Sequence, residues 1–282
     1  MKEEKKQQEE HQKNLEKQSD EISASEKYTE ILSRVIHEGE EIFNIKKKAL
    51  FLSSCIAGLE IGFSYVLVST LYFLLEGTMG EFAIYRLFGF VYPVGFVLVI
   101  LGKSALFTEQ TSVLTLPVLN GQRSIWEMLK LWGIVIFGNI IGGIIFIFAI
   151  TPLAPKLGIF NQETMVKIGT HVIDHDYWVL FVSAILAGWL MGLLTWLLNS
   201  TVKSLTRIVI IIMITGTIGF VGFHHSIVGN IEVFGAFINS DSISITDYLM
   251  FLLLTLTGNG VGGAIVVGLF KYRIFESNSG SN

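Results

Sequence analysis

Gly138-Asn139-Ile140-Ile141-Gly142-Gly143 recurs 120 positions later as Gly258-Asn259-Gly260-Val261-Gly262-Gly263, each copy inside a long apolar run. Glycines four apart let helix backbones approach closely, which is how helices associate in lipid, where no hydrophobic drive acts between them. The asparagine in each copy is an amide in apolar surroundings and needs hydrogen-bond partners. It is expected to tie a neighbouring segment in place, with direct solute contact as the alternative. A hydrophobic chain that repeats such a motif at matching places in its two halves reads as an internally duplicated membrane transporter or channel.

Hydrophobic residues make up 51% of the chain and charged residues 16%, and half of the charges fall in the first fifty positions. Six apolar stretches follow, at about 49–75, 83–101, 128–150, 177–199, 205–222 and 247–270. A hydrocarbon core of ~30 Å needs about 20 helical residues, so each stretch has the length of a span. The second and fifth continue after short interruptions into pieces at about 104–119 and 223–238, too short to cross alone. Each half therefore reads whole span, broken span, whole span, with breaks expected near Gly102 to Thr108 and near Gly219 to Phe223. Three spans per half reverse orientation between the copies. The expected fold is an all-α membrane protein, a six-helix bundle with an inverted 3+3 repeat and its second and fifth spans broken. Unwound backbone at membrane depth is tolerated only where it is buried in protein or lines a wet cavity, so two equivalent breaks point to a pathway.

Residues 1–25 are a run of Lys, Glu and Gln that cannot bury enough surface to offset ordering entropy, and read as a disordered charged tail. Residues 26–48 show Ile31, Leu32, Val35, Ile36, Ile42 and Phe43 at helical spacing, the pattern of an amphipathic helix on the membrane surface or under the bundle. It is read as an anchor, with a gating role as the alternative. The membrane domain is placed at 49–275 and a short C-terminal tail at 276–282. The charged segment Met1–Lys48 lacks the apolar run of a signal peptide, so the first span is expected to be retained. Lys46, Lys47, Lys48, Arg123, Lys130, Lys203, Arg207, Lys271 and Arg273 fall on one side of the spans, which predicts both termini in the cytoplasm. Cys55 is the only cysteine, which excludes an intrachain disulfide framework. No nucleotide-binding loop is present, no cofactor is expected, and nothing points to a nucleic-acid partner.

Gly102-Lys103-Ser104-Ala105-Leu106-Phe107-Thr108 in the first half and Gly222-Phe223-His224-His225-Ser226-Ile227 in the second, with the paired Gly-Asn motifs, resemble the formate/nitrite transporter family over about residues 45–275. The resemblance implies an aquaporin-like protomer, a homopentamer with one pore per protomer, and a prokaryotic cytoplasmic (inner) membrane location. It implies passage of small monovalent anions of weak acids such as formate or nitrite. His225 falls on the family's central pore histidine and Thr108 on the threonine facing it, with Leu106 and Phe107 at a hydrophobic constriction. Phe223 and His224 join them along the expected path. Several positions depart from the family pattern. His224 stands where an acidic residue is usual, and Gly188 where the fourth span commonly has asparagine. Lys103 lies in a one-residue insertion, and Lys167 and His171 are out of register with a lysine often found before the fourth span.

Independently of the resemblance, histidine is the side chain that exchanges a proton near neutral pH, and ionisable groups at membrane depth usually mark ion or proton routes. His225 is thus expected to support proton-linked passage of the anion through the constriction. The bland alternative is a buried neutral imidazole bonded to a carbonyl. Gly102, Gly142, Gly222 and Gly262 are assigned to helix breaks and packing beside Asn139 and Asn259. Glu60, Lys103, Glu109 and Glu232 must be paired or face water, because a lone charge at the bilayer centre costs ~2.5–3.5 kcal/mol. An ion pair from Lys103 to Glu109 or Glu232 is expected to join the broken segments. Carboxylates near the path keep open an aquaporin-like channel for a small neutral solute. A remote alternative is an intramembrane metalloprotein around His224, His225 and Glu232. No metal site is assigned, since neighbouring helical residues point about 100° apart. The chain carries no catalytic motif and is not expected to be an enzyme.

Overall fold

The structure is a computed structural model that describes residues 27–279. The tail read at 1–25 lies outside the described residues. In chain order the elements are α1 (27–43), α2 (Lys47–Leu75), α3 (Glu81–Val91), α4 (Pro93–Gly102), α5 (Phe107–Val113), α6 (Thr115–Leu119) and α7 (Ile125–Leu157). They continue with α8 (Gln162–Ile173), α9 (Tyr177–Asn199), α10 (Ser204–Val221), α11 (Ser226–Asn239), α12 (Ile245–Val261), a π-helical segment (Gly262–Leu269) and α13 (Phe270–Ser279). No strand occurs among the described residues. Six helices are long and apolar enough to cross a membrane: α2, the α3–α4 pair, α7, α9, α10 and the run from α12 to Ile274. They coincide with the six apolar stretches of the sequence.

The inverted repeat is visible in the packing. In the first half α2 lies against α7 so tightly that a Cβ on Gly58 would sit 2.2 Å from the Asn139 carbonyl oxygen. In the second half α9 lies against α12 in the same way, with a Cβ on Gly188 falling 2.2 Å from the Asn259 carbonyl oxygen. These are backbone-to-backbone contacts between helices, and only glycine permits them. They also give the physical reason for glycine at 188, since an asparagine there would overlap the facing helix.

The third span of each half begins alike. Ser124 caps α7 and Ser244 caps α12, each accepting from the N–H of the acidic residue three positions on, while Glu127 and Asp247 bond back to the serine N–H. Such a reciprocal box satisfies two helix-end donors at once.

Two features differ from the sequence expectation. An unpredicted helix, α8, stands between the third and fourth spans, capped by Asn161 whose Oδ1 accepts from Thr164 N–H at 2.9 Å. It packs on α11 closely enough that a Cβ on Gly169 would meet the Glu232 carbonyl at 2.5 Å. At the N-terminal end, α1 stops at residue 43 and Lys47 and Lys48 open α2. Leu32 and Val35 of α1 are buried against Val113, Leu116 and Trp196, so this helix covers α5 and α6. Arg123 holds it there through a bidentate pair with Glu40, with contacts of 2.6–3.0 Å.

Candidate pore site

Both breaks are made by a residue in the left-handed conformation that ends one half-helix. Lys103 (φ 61°) ends α4 and Gly222 (φ 84°) ends α10. The second break therefore falls at Gly222, inside the stretch expected from Gly219 to Phe223. Gly219 is helical, and its missing side chain admits Tyr92, whose Cβ lies 2.7 Å from where a glycine Cβ would be. After three further residues in each case the chain re-enters a helix, at Phe107 and at Ser226.

The unwound backbone at each break is satisfied by the asparagine of the neighbouring whole span. Asn139 Oδ1 accepts from Phe107 N–H at 2.9 Å, and its Nδ2 donates to the Ala105 carbonyl at 2.9 Å and the Ser54 carbonyl at 2.8 Å. Asn259 repeats the pattern, accepting from Ser226 N–H at 2.8 Å and donating to the carbonyls of His224 at 3.0 Å and Ala184 at 2.7 Å. Each amide thus serves a half-helix N-terminus, the carbonyl just before it and a second whole span.

The two half-helices meet side chain to side chain. His225 Nε2 lies 2.8 Å from Thr108 Oγ1, joining α11 to α5 across 117 positions of sequence. The other ring nitrogen, Nδ1, caps α11 by accepting from Val228 N–H at 3.3 Å. With Nδ1 accepting, the proton of the neutral ring sits on Nε2 and points at the threonine oxygen. Phe96 packs edge-on against the imidazole with ring centroids 5.0 Å apart. Leu106 and Phe107 are buried beside this pair.

Cavities open on either side of it. The far vestibule, about 380 Å³, reaches His225, Phe223, His224 and Glu232. The near vestibule, about 210 Å³, lies on the α1 side and reaches Glu109, the neighbour of Thr108. Thr108 and His225 therefore stand between two cavities.

The charges distribute unlike the expectation. No ion pair joins Lys103 to Glu109 or Glu232 among the described residues. Lys103 and Glu109 share the near vestibule with Arg34, Glu38 and Arg207, whereas Glu232 faces the far vestibule, on the opposite side of the Thr108–His225 layer. Glu60 is half-buried beside Gly102, and its Oε2 has no hydrogen-bond partner among the described residues. Lys167 lies outside the six spans and is claimed by Glu163 and Glu76, whose hydrogen bonds hold its ammonium above the usual lysine range. It is not a free cation for the vestibule.

His224 is anchored in the far wall, with Nδ1 2.8 Å from Ser183 Oγ and Nε2 3.0 Å from the Val172 carbonyl. Its neighbours His175 and His171, from the segment containing α8, escaped the sequence reading as a group. The signal was the spacing of four between them at the end of a helical pattern. No group of three or more metal-ligating side chains placed to hold a metal occurs among the described residues.

Comparison with known proteins places this architecture. The family model described as "Formate/nitrite transporter" matches residues 29–273. The "Inner membrane protein YfdC" of Escherichia coli (strain K12) is 32% identical over 248 residues, covering 86% of this chain and 77% of that protein. The "Formate channel FocA" of Haemophilus influenzae is 25% identical over 212 residues, covering 67% of this chain and 74% of its own. Among solved structures, an "FNT family ion channel" superposes with a TM-score of 0.77 at 22% identity, over 87% of this chain and 99% of that one. A "Pentameric formate channel with formate bound" superposes with a TM-score of 0.72 at 23% identity, over 81% and 97% respectively. These likenesses are to transporters and channels, not enzymes, and the match runs across both repeats and both breaks: the chain is an integral membrane protein of the formate/nitrite transporter family.

Proposed function

We propose that this protein is an inner-membrane channel for small monovalent anions of weak acids, formate or nitrite in kind, assembled as a homopentamer with both termini cytoplasmic. One observation carries the reading. The hydrogen bond between Thr108 and His225 closes the layer between two cavities, at the junction of two half-helices. The near vestibule then opens to the cytoplasm, in keeping with the lysines and arginines on the α1 side. The arrangement defines the chemistry. An anion reaching His225 from the far vestibule meets an N–H donor at Nε2 and the hydroxyl of Thr108. A proton arriving through water or on the imidazole converts the anion to its neutral acid. The neutral acid crosses the apolar stretch at Leu106 and Phe107, which rejects the charged form, and ionises again on the other side. The pentameric assembly and the formate-like substrate rest on the relatives' likeness rather than on this chain's geometry.

A second reading, a channel for a small neutral solute, is favoured by Glu109 and Glu232, carboxylates that face the two vestibules. A flux panel in proteoliposomes at pH 5.5 and 7.5 separates the two. Formate and nitrite are expected to enter, faster at the lower pH, and glycerol to be excluded. Glycerol permeation without formate flux would replace the anion reading by the neutral one.

A further inference from the structure

The far vestibule contains a rank of imidazoles that the pore reading does not use. Tyr85 on α3 stacks on His171 with ring centroids 3.5 Å apart and planes 9° from parallel. His171 meets His175 edge-on at 6.2 Å, and His175 meets His224 at 5.1 Å. His224 is the chain neighbour of His225, so the rank runs from the vestibule wall to the Thr108–His225 layer. His171, His175 and His224 all line the same cavity as His225.

Fixed positive charge is scarce in that cavity. Among the residues lining it, Arg86 is the single lysine or arginine, and its Nη1 donates to the carbonyls of Phe220 and Val221 at 2.7 Å each. The near vestibule differs, with Lys103, Arg34 and Arg207 all lining it. The nitrogens of His224 are both engaged, whereas His171 and His175 are exposed to the cavity. We propose that His171 and His175, backed by His224, form a proton-switched anion subsite in the far vestibule. It binds a small monovalent oxyanion when the imidazoles are charged and releases it when they are neutral. This subsite rests on the anion reading above.

The groups facing the rank set the sign of its response. Glu81 on α3, which receives a hydrogen bond from Tyr72 Oη at 2.9 Å, and Asp174 favour the charged form of His171. Arg86 on α3 opposes it. Tyr85 and Tyr92 remain neutral across the physiological range. Glu232 on α11 and His225 at the break face the cavity too, and any proton either takes up changes its charge in the same direction. His171 lies outside the six spans, where desolvation in the vestibule wall and the neighbouring His175 hold it below the usual histidine range. Acidification therefore makes the cavity more positive, and the subsite fills as pH falls.

Nitrate tests this, because it stays ionised at both pH values and its inhibition constant reports the subsite without protonation of the probe. Formate flux into proteoliposomes is measured with nitrate as inhibitor at pH 5.0 and 7.5. In the parent, the nitrate inhibition constant is expected to fall at least five-fold at the lower pH. The double substitution His171→Gln with His175→Gln is expected to remove that fall. His175→Arg, with a permanent charge, is expected to give the low constant at both pH values, a rescue that a merely structural role does not predict. Formate flux with a nitrate constant that ignores pH, or that keeps its pH response in the double variant, overturns the subsite alone. Absence of formate flux in the parent removes the anion pathway itself, and the subsite with it.

Discussion

Replacing Asn259 with leucine is expected to unfold the second half of the bundle rather than merely slow transport. The substitution is close in volume, so packing changes little, but the break loses its partners. Ser226 N–H and the His224 carbonyl flank the unwound segment and depend on the Asn259 amide at 2.8 and 3.0 Å. Leaving two buried peptide groups unpaired costs about 1–3 kcal/mol each. That total is a large fraction of the 5–15 kcal/mol that typically separates folded from unfolded states. Thermal unfolding in detergent, followed by gel filtration, should show a melting temperature lowered by several degrees or loss of the folded peak. Asn139→Leu should behave alike, because Phe107 N–H and the Ala105 carbonyl depend on it in the same way. An unchanged melting temperature in both variants contradicts the role assigned to these amides.

The second large effect is at His225. His225→Ala removes both the link to Thr108 and the cap of α11, and formate flux is expected to drop at least ten-fold. His225→Asn separates those roles. Asparagine is a strong N-cap, so α11 should start as before and the protein should elute as the parent does. It carries no exchangeable charge near neutral pH, so the rise in flux on acidification should vanish. A His225→Asn protein with the parent's pH profile would show that the proton reaches the anion by another route.

The spans and their duplication are legible in the sequence because lipid imposes a simple rule, about 20 apolar residues per crossing, and the Gly-Asn motif repeats at a fixed offset. The capping boxes at Ser124 and Ser244 share that offset of 120 and could have been found by the same comparison. Within the expected stretch from Gly219 to Phe223, packing decides which glycine ends the helix. A glycine inside a membrane helix admits a neighbour as often as it stops the helix, and Gly219 does the former against Tyr92 while Gly222 does the latter. α8 was hidden because it is short and apolar on one face only, with Met165, Ile168 and Gly169 buried. Charge pairing was the least legible feature. Lys103 and Glu232 are both close to breaks along the chain, yet the inverted repeat sends them to opposite cavities. The meeting of Thr108 with His225 followed from the family resemblance and the two breaks. The imidazole rank needed coordinates, because His171 and His175 come from the segment around α8 and His224 from the fifth span.

The most direct test asks whether the space beside Thr108 and His225 is the passage itself. Cys55 is the only cysteine, so a Cys55→Ser background is free of thiols. In that background Thr108→Cys places one thiol in the layer between the vestibules. Mercuric ion added to proteoliposomes is expected to block formate flux through the Thr108→Cys protein and to leave the Cys55→Ser parent running. Labelling at position 108 with undiminished flux would put the anion's route somewhere else and contradict the account.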